Sequence, residues 1–141
     1  MDALPEGFSR RLDTLLRDTA IERIAVLVCE EDDLARVLAD YGAEHAATVA
    51  VGAKLSLPRA CTRRSGPCEI ADLGDAGKPL ADLGFSGLAV ASDPASGSRV
   101  VLAAQGERGR ALRPRDLAEL GSAAQHLVAE DDRAGICLLY T

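Results

Sequence analysis

The sequence predicts an α+β fold in a single domain, residues 1–141, and three observations carry that prediction. Residues 24–29, 88–91 and 100–104 are short apolar runs rich in Val and Ala, bounded by charged or turn-forming residues, as strands are. The two later runs are joined by Ser-Asp-Pro-Ala-Ser-Gly-Ser at 92–98, a turn-forming linker that reads as a connection between adjacent antiparallel strands. Apolar residues at spacings of three and four, near each end of the chain, mark two helices that would cover the strands.

Composition narrows the classes of function. The net charge of −6 argues against a nucleic-acid or anionic-membrane surface, because phosphate binding needs clustered Lys and Arg. The densest basic patches, Arg63-Arg64 and residues 108–115, are short and interrupted by Gly and Pro. With two Phe, two Tyr and no Trp, the core must be filled by Ala, Leu and Val. No 18-residue apolar run predicts a membrane-spanning helix, and the first residues lack the basic start and apolar run of a signal peptide. The expected location is therefore cytoplasmic, with the four cysteines as reduced thiols.

In chain order, Phe8, Leu12, Leu15 and Leu16 predict an amphipathic helix over 5–18, with Pro5 in a first turn where no amide donor is missed. The unbroken run 24–29 predicts a central strand covered on both faces, ended by the acidic turn Glu30-Glu31-Asp32-Asp33. Residues 34–41 favour a helix by propensity, with Asp33 as a possible cap, although a strand here would form a hairpin with the first. Residues 42–52 read as irregular or a weak strand. Residues 57–64 predict a short helix with Ser56 as cap and Pro58 in its first turn, stopped by Ser65-Gly66-Pro67. A short strand is expected within 65–72, followed by a Gly- and Asp-rich loop over 73–84 and the strands 86–91 and 99–105. After a polar loop at 106–113, Leu117, Leu120, Ala124, Leu127 and Val128 predict a last helix, with Asp116 and Glu119 at its positive end and Gly135 closing it. The apolar tail 136–140 would add a strand or cover a partner.

This order of elements resembles the GAF domain family of sensor modules. Residues 59–72 (Arg-Ala-Cys-Thr-Arg-Arg-Ser-Gly-Pro-Cys-Glu-Ile-Ala-Asp) resemble that family's short helix, turn and strand. Leu83-Gly84-Phe85-Ser86-Gly87-Leu88-Ala89-Val90 resembles its next strand, with Ala91 in place of the usual Pro. Residues 111–120 resemble the start of its final helix. The resemblance covers roughly residues 8–128. It implies a central antiparallel sheet of five to six strands with helices packed alongside, and it turns residues 34–42 into the second strand. It also implies a sensory or regulatory module that binds a small molecule or a protein partner and performs no chemistry.

Within that expectation the loop 73–84 is the wall of a pocket. Asp72, Asp75 and Ser86 are its candidate polar groups, with Cys61 nearby, Arg59 as an anion partner, and Lys78 in the loop. Asp and Gly also stabilise turns by themselves, which is the plainer reading of the acidic residues. Cys61 and Cys68 are the candidate pair for the competing reading, a thiol redox switch or an enzyme that reduces oxidised methionine. Cysteines buried as small apolar residues are the commoner case. No cofactor is expected. His45 and His126 are the only candidates for haem ligation, in a chain too poor in aromatics for a haem pocket. Cysteine spacing supports neither zinc nor an iron–sulfur cluster. A chain without Asn lacks the signature of cyclic-nucleotide-binding GAF domains. Helices 5–18 and 116–131 are the expected homodimer surface, and a purely structural dimerisation module is a third reading.

Overall fold

The computed structural model describes residues 8–31, 33–42, 51–63, 66–92, 99–107 and 110–140, with side chains except those of residues 9, 30, 31 and 130–140. Six strands form one antiparallel sheet in the order β3-β2-β1-β6-β5-β4. They are β1 (Ile21–Glu31), β2 (Leu34–Gly42), β3 (Lys54–Ser56), β4 (Gly66–Glu69), β5 (Gly87–Ser92) and β6 (Arg99–Gly106). Helices α1 (Phe8–Asp18) and α4 (Pro114–Tyr140) cover one face. On the opposite face lies a cap made of α2 (Arg59–Thr62), a 3₁₀ segment (Ile70–Gly77) and α3 (Lys78–Ala81).

The two central strands explain the three layers. Along β1 and β6 both side-chain parities are apolar, so each strand serves two cores. Ile24, Val26, Val100, Leu102 and Ala104 face the helices, where Phe8, Leu12, Leu120, Ala124 and Leu127 meet them. Ala25, Leu27, Val101 and Ala103 face the cap, where they meet Leu57, Ile70, Leu80 and Phe85.

Residues 34–42 are a strand, against their helical propensity and in line with the family resemblance. Ala35, Val37 and Ala39 are buried in alternation, and the segment pairs antiparallel with β1 from Glu31↔Leu34 to Arg23↔Gly42. A partner already in place outweighs a preference of a few tenths of a kcal/mol per residue. Asp33 therefore caps no helix at 34. Its backbone takes the left-handed turn (φ 63°), and its Oδ1 accepts from the Arg59 amide of α2 at 2.9 Å. Ser56 ends β3 instead of capping α2. Pro58 takes the N-cap position, and the helix runs only from Arg59 to Thr62.

Three further expectations are corrected. The segment 73–84 is not a plain loop, because the 3₁₀ segment and α3 occupy most of it. Gly135 does not close the last helix and the tail adds no strand, since α4 continues through Tyr140. At α4's first turn Asp116 is buried and accepts from Arg113 Nε at 3.2 Å. His126 lies exposed on α4. His45, the bulk of 42–52 and of the linker 92–98, Pro5, Ser65 and the side chain of Cys137 lie outside the described residues.

Candidate functional site

The cap is set by backbone pairing at its two ends. The Ile70 amide donates to the Ser86 carbonyl at 2.9 Å, and the Ser86 amide donates to the Ala104 carbonyl at 2.8 Å. This ties the exit of β4 and the entry of β5 to the central strand β6. Between these points the 3₁₀ segment folds tightly over Ile70, which only glycine at 77 permits. A Cβ there would come within 2.7 Å of the Ile70 carbonyl oxygen and 2.8 Å of its Cγ2.

The fold leaves a cleft of about 450 Å³ at the outer edge of the cap. Ile70, Ala81, Phe85 and Ala111 give it an apolar lining, while Glu69, Asp75, Lys78 and Ser86 supply polar groups. Deeper in, the space between cap and sheet is occupied. Leu27, Val37, Leu57, Cys61, Leu80, Leu88 and Phe85 are all buried there in one packed cluster. A ligand enclosed at that depth would have to displace them.

Of the five predicted site residues, the cleft brings together Asp75 and Ser86. Asp72 is exposed on the same 3₁₀ segment but is not part of the lining. Arg59 is exposed at the start of α2, with its amide engaged by Asp33. Cys61 lies beneath the cap, where its thiol donates to the Ala76 carbonyl at 2.9 Å. Burial raises its pKa, and the neighbouring Cys68 adds to the rise. Burial also pushes the Cys29 thiol up to about 11, against the opposing pull of Arg99. Arg99 Nη1 in turn donates to the Thr62 carbonyl, linking β6 to α2.

Sequence reasoning missed the polar group that holds cap and sheet together. Arg23, on β1, is 2% exposed. Its Nε and Nη2 donate to Asp40 Oδ1 and Oδ2 at 3.0 and 3.1 Å, a two-pronged ion pair across the β1–β2 ladder. Nη1 donates to the Leu83 carbonyl at 3.0 Å, and the guanidinium lies 4.4 Å from the centre of the Phe85 ring. Phe85 is also part of the cleft lining, so this contact joins the cleft to the β1–β2 pair. The signal available in the sequence was an arginine opening an apolar run, which points to Asp40 only once the strand register is known.

A second groove, of about 530 Å³, runs between α1 and α4. Arg10, Arg11 and Arg115 alternate there with Asp18 and Glu119 above Leu15 and Ala123.

A six-stranded antiparallel sheet with helices on one face and a short-helix cap on the other is a GAF-like fold. The chain is similar to the chromophore-binding domain of a bacteriophytochrome from R. palustris, with a TM-score of 0.67 and 12% identity. That match covers 97% of this chain and 57% of the other, so the chain spans just over half of it. It is also similar to the GAF domain of a two-component sensor histidine kinase from Bacillus halodurans (TM-score 0.57, 15% identity, 91% of this chain and 92% of that one). A third similar structure is the phycoerythrobilin-bound GAF domain of a cyanobacterial phytochrome (TM-score 0.58, 14% identity, 92% and 90% covered). Neither protein-family models nor curated proteins give a match.

Proposed function

We propose that this chain is a non-catalytic regulatory module that binds a small molecule or a short protein segment in the cleft beside Phe85 and Ser86. The observation that carries this reading is the cleft itself, an apolar depression of about 450 Å³ with Asp75, Lys78 and Ser86 around it. That size and mixture suit a small ligand held by shape and oriented by a few polar groups. Ligand binding would act by population shift, favouring one arrangement of the 3₁₀ segment and α3 over another. The similarity to sensor domains supports the same reading. What speaks against thiol enzymology is the chemistry of Cys61. A turnover enzyme needs an accessible thiolate, and this thiol is buried with its pKa raised.

The test is a thermal-shift screen of metabolites on the protein and on Ala81→Trp, which fills the cleft. A ligand at a hundred times its Kd stabilises by about 2.7 kcal/mol. That corresponds to roughly 5–11 °C for a chain of this size. Ala81→Trp is expected to abolish the shift. A screen without any shift, or a shift that persists in Ala81→Trp, refutes the cleft reading.

Self-association through α1 and α4 is a second proposal, favoured by the continuation of α4 well beyond the buried Val128, out to Tyr140. Sedimentation analysis of the chain and of a version truncated after Ala129 tests it. A monomer in both cases rejects it.

A further inference from the structure

Three cysteines from three separate elements converge on the cap side of the sheet. Cys29 lies near the end of β1, Cys61 lies in α2, and Cys68 lies in the edge strand β4. All three pack in the cap-face cluster, Cys61 fully buried and the other two half-buried, and all carry thiols. The register fixes the direction of Cys68. It stands opposite Leu88, which is buried in the cap-face cluster, and directly opposed residues share a face. Cys68 therefore points to the side on which Cys61 sits. Both pack in the same cluster, and only six residues separate them in the chain.

The Cys61 thiol also has a structural task. Its S–H donates to the carbonyl of Ala76, near the end of the 3₁₀ segment whose Gly74, Asp75 and Gly77 border the cleft. We propose that Cys61 and Cys68 form a hydroperoxide-driven disulfide switch whose closure releases the 70–77 segment of the cap. Cys68, half-exposed on the sheet edge, reacts first. Its sulfur attacks the hydroperoxide and gives a sulfenic acid and an alcohol (or water). The Cys61 sulfur then displaces hydroxide from that sulfenic acid, forming the S–S bond and releasing water. Overall, two thiols are oxidised by two electrons, and one hydroperoxide is reduced to the alcohol plus water. The disulfide has no hydrogen to donate, so the Ala76 carbonyl loses this donor and the segment loses one of its anchors. Cys29 is the poorer first reactant, since almost none of it is thiolate near neutrality. The same physics makes the Cys61 step slow, which fits a stoichiometric switch rather than turnover. Disulfide formation does not depend on the cleft holding a ligand. Only its consequence for binding rests on the proposed function.

The experiment exposes the purified chain to graded hydrogen peroxide, blocks remaining thiols with iodoacetamide, and maps peptides without reduction. Hydrogen exchange is then followed over residues 70–77. The expected result is a Cys61–Cys68 cross-link with loss of two hydrogens, reversed by dithiothreitol, and severalfold faster exchange at 70–77. Cys29→Ser should keep the link and Cys68→Ser should lose it. Cys68 gaining oxygen without a cross-link overturns the proposal, as does a Cys29–Cys61 link in its place. A cross-link with unchanged exchange overturns the release of the cap. None of these readouts uses a cleft ligand, so failure of the metabolite screen leaves them interpretable.

Discussion

Removing the carboxylate of Asp40 isolates a guanidinium that is 2% exposed. In Asp40→Ala, Arg23 loses both prongs of its ion pair, the contacts at 3.0 and 3.1 Å, and keeps the Leu83 carbonyl and the Phe85 ring. Hydrogen bonds to charged groups contribute about 1.5–3 kcal/mol each. Two of them lost in a buried setting agree with the 3–5 kcal/mol typical of breaking a buried pair from one side. We expect a loss of about 4 kcal/mol, read as a lower urea midpoint and a melting temperature lower by roughly 8–16 °C. The double variant Arg23→Met/Asp40→Leu removes both charges together and keeps apolar volume. It should recover most of that loss, because apolar replacement of a buried pair is commonly neutral or better. A cost below about 1 kcal/mol for Asp40→Ala would refute the reasoning, since unpaired buried charges cost several times that. A double variant as unstable as the single one would refute it equally.

Asp33→Ala should cost about 1–2 kcal/mol by urea denaturation, because it removes the cap on the Arg59 amide and places alanine at φ 63°. Asp33→Gly should cost less, as glycine accepts that dihedral freely. Gly42→Ala should cost roughly 3 kcal/mol or prevent folding, because its φ is +130° and a Cβ would overlap the Glu22 carbonyl and Arg23 Cα of the paired strand. Stability should fall between pH 9 and 11. The Cys29 thiol ionises near 9.0 in the unfolded chain and near 11 in the folded one, so its contribution is complete below 9 and lost as pH rises through 11. Cys29→Ala should flatten that slope in urea titrations at pH 8, 9.5 and 11, and an unchanged slope contradicts the assignment.

Much of the sheet was legible because its signals are local. The runs at 24–29, 88–91 and 100–104 carry their own apolar pattern, and Gly42, Gly66 and Gly106 fall at element ends. The strand at 34–42 was not local in this sense. Its residues prefer a helix, and only pairing with β1 decides otherwise. The 3₁₀ segment and α3 were illegible for a related reason. They hold their shape through the Ile70–Ser86 backbone bond and the Cys61–Ala76 contact, both of which span distant positions. Asp75 and Ser86 were singled out from their place around the segment 73–84, and both line the cleft. Phe85 entered only as part of a strand motif, and its contact with Arg23 and its place in the cleft both depend on tertiary packing.

The double use of β1 has a consequence for how the strand finds its place. In a sheet with one wet face, sliding a strand by one residue would drive its apolar set into water, and burial alone forbids the error. Along β1 both parities are apolar, so Ile24, Val26 and Val28 could exchange faces with Ala25 and Leu27 at little cost in burial. Arg23 breaks that near-degeneracy. A slip of one residue would push its guanidinium into the apolar core on the helix side, and a slip of two would strand it from Asp40. One charged pair thus tells the strand which way is up, much as a single polar residue in a coiled coil selects one alignment from several equally greasy ones.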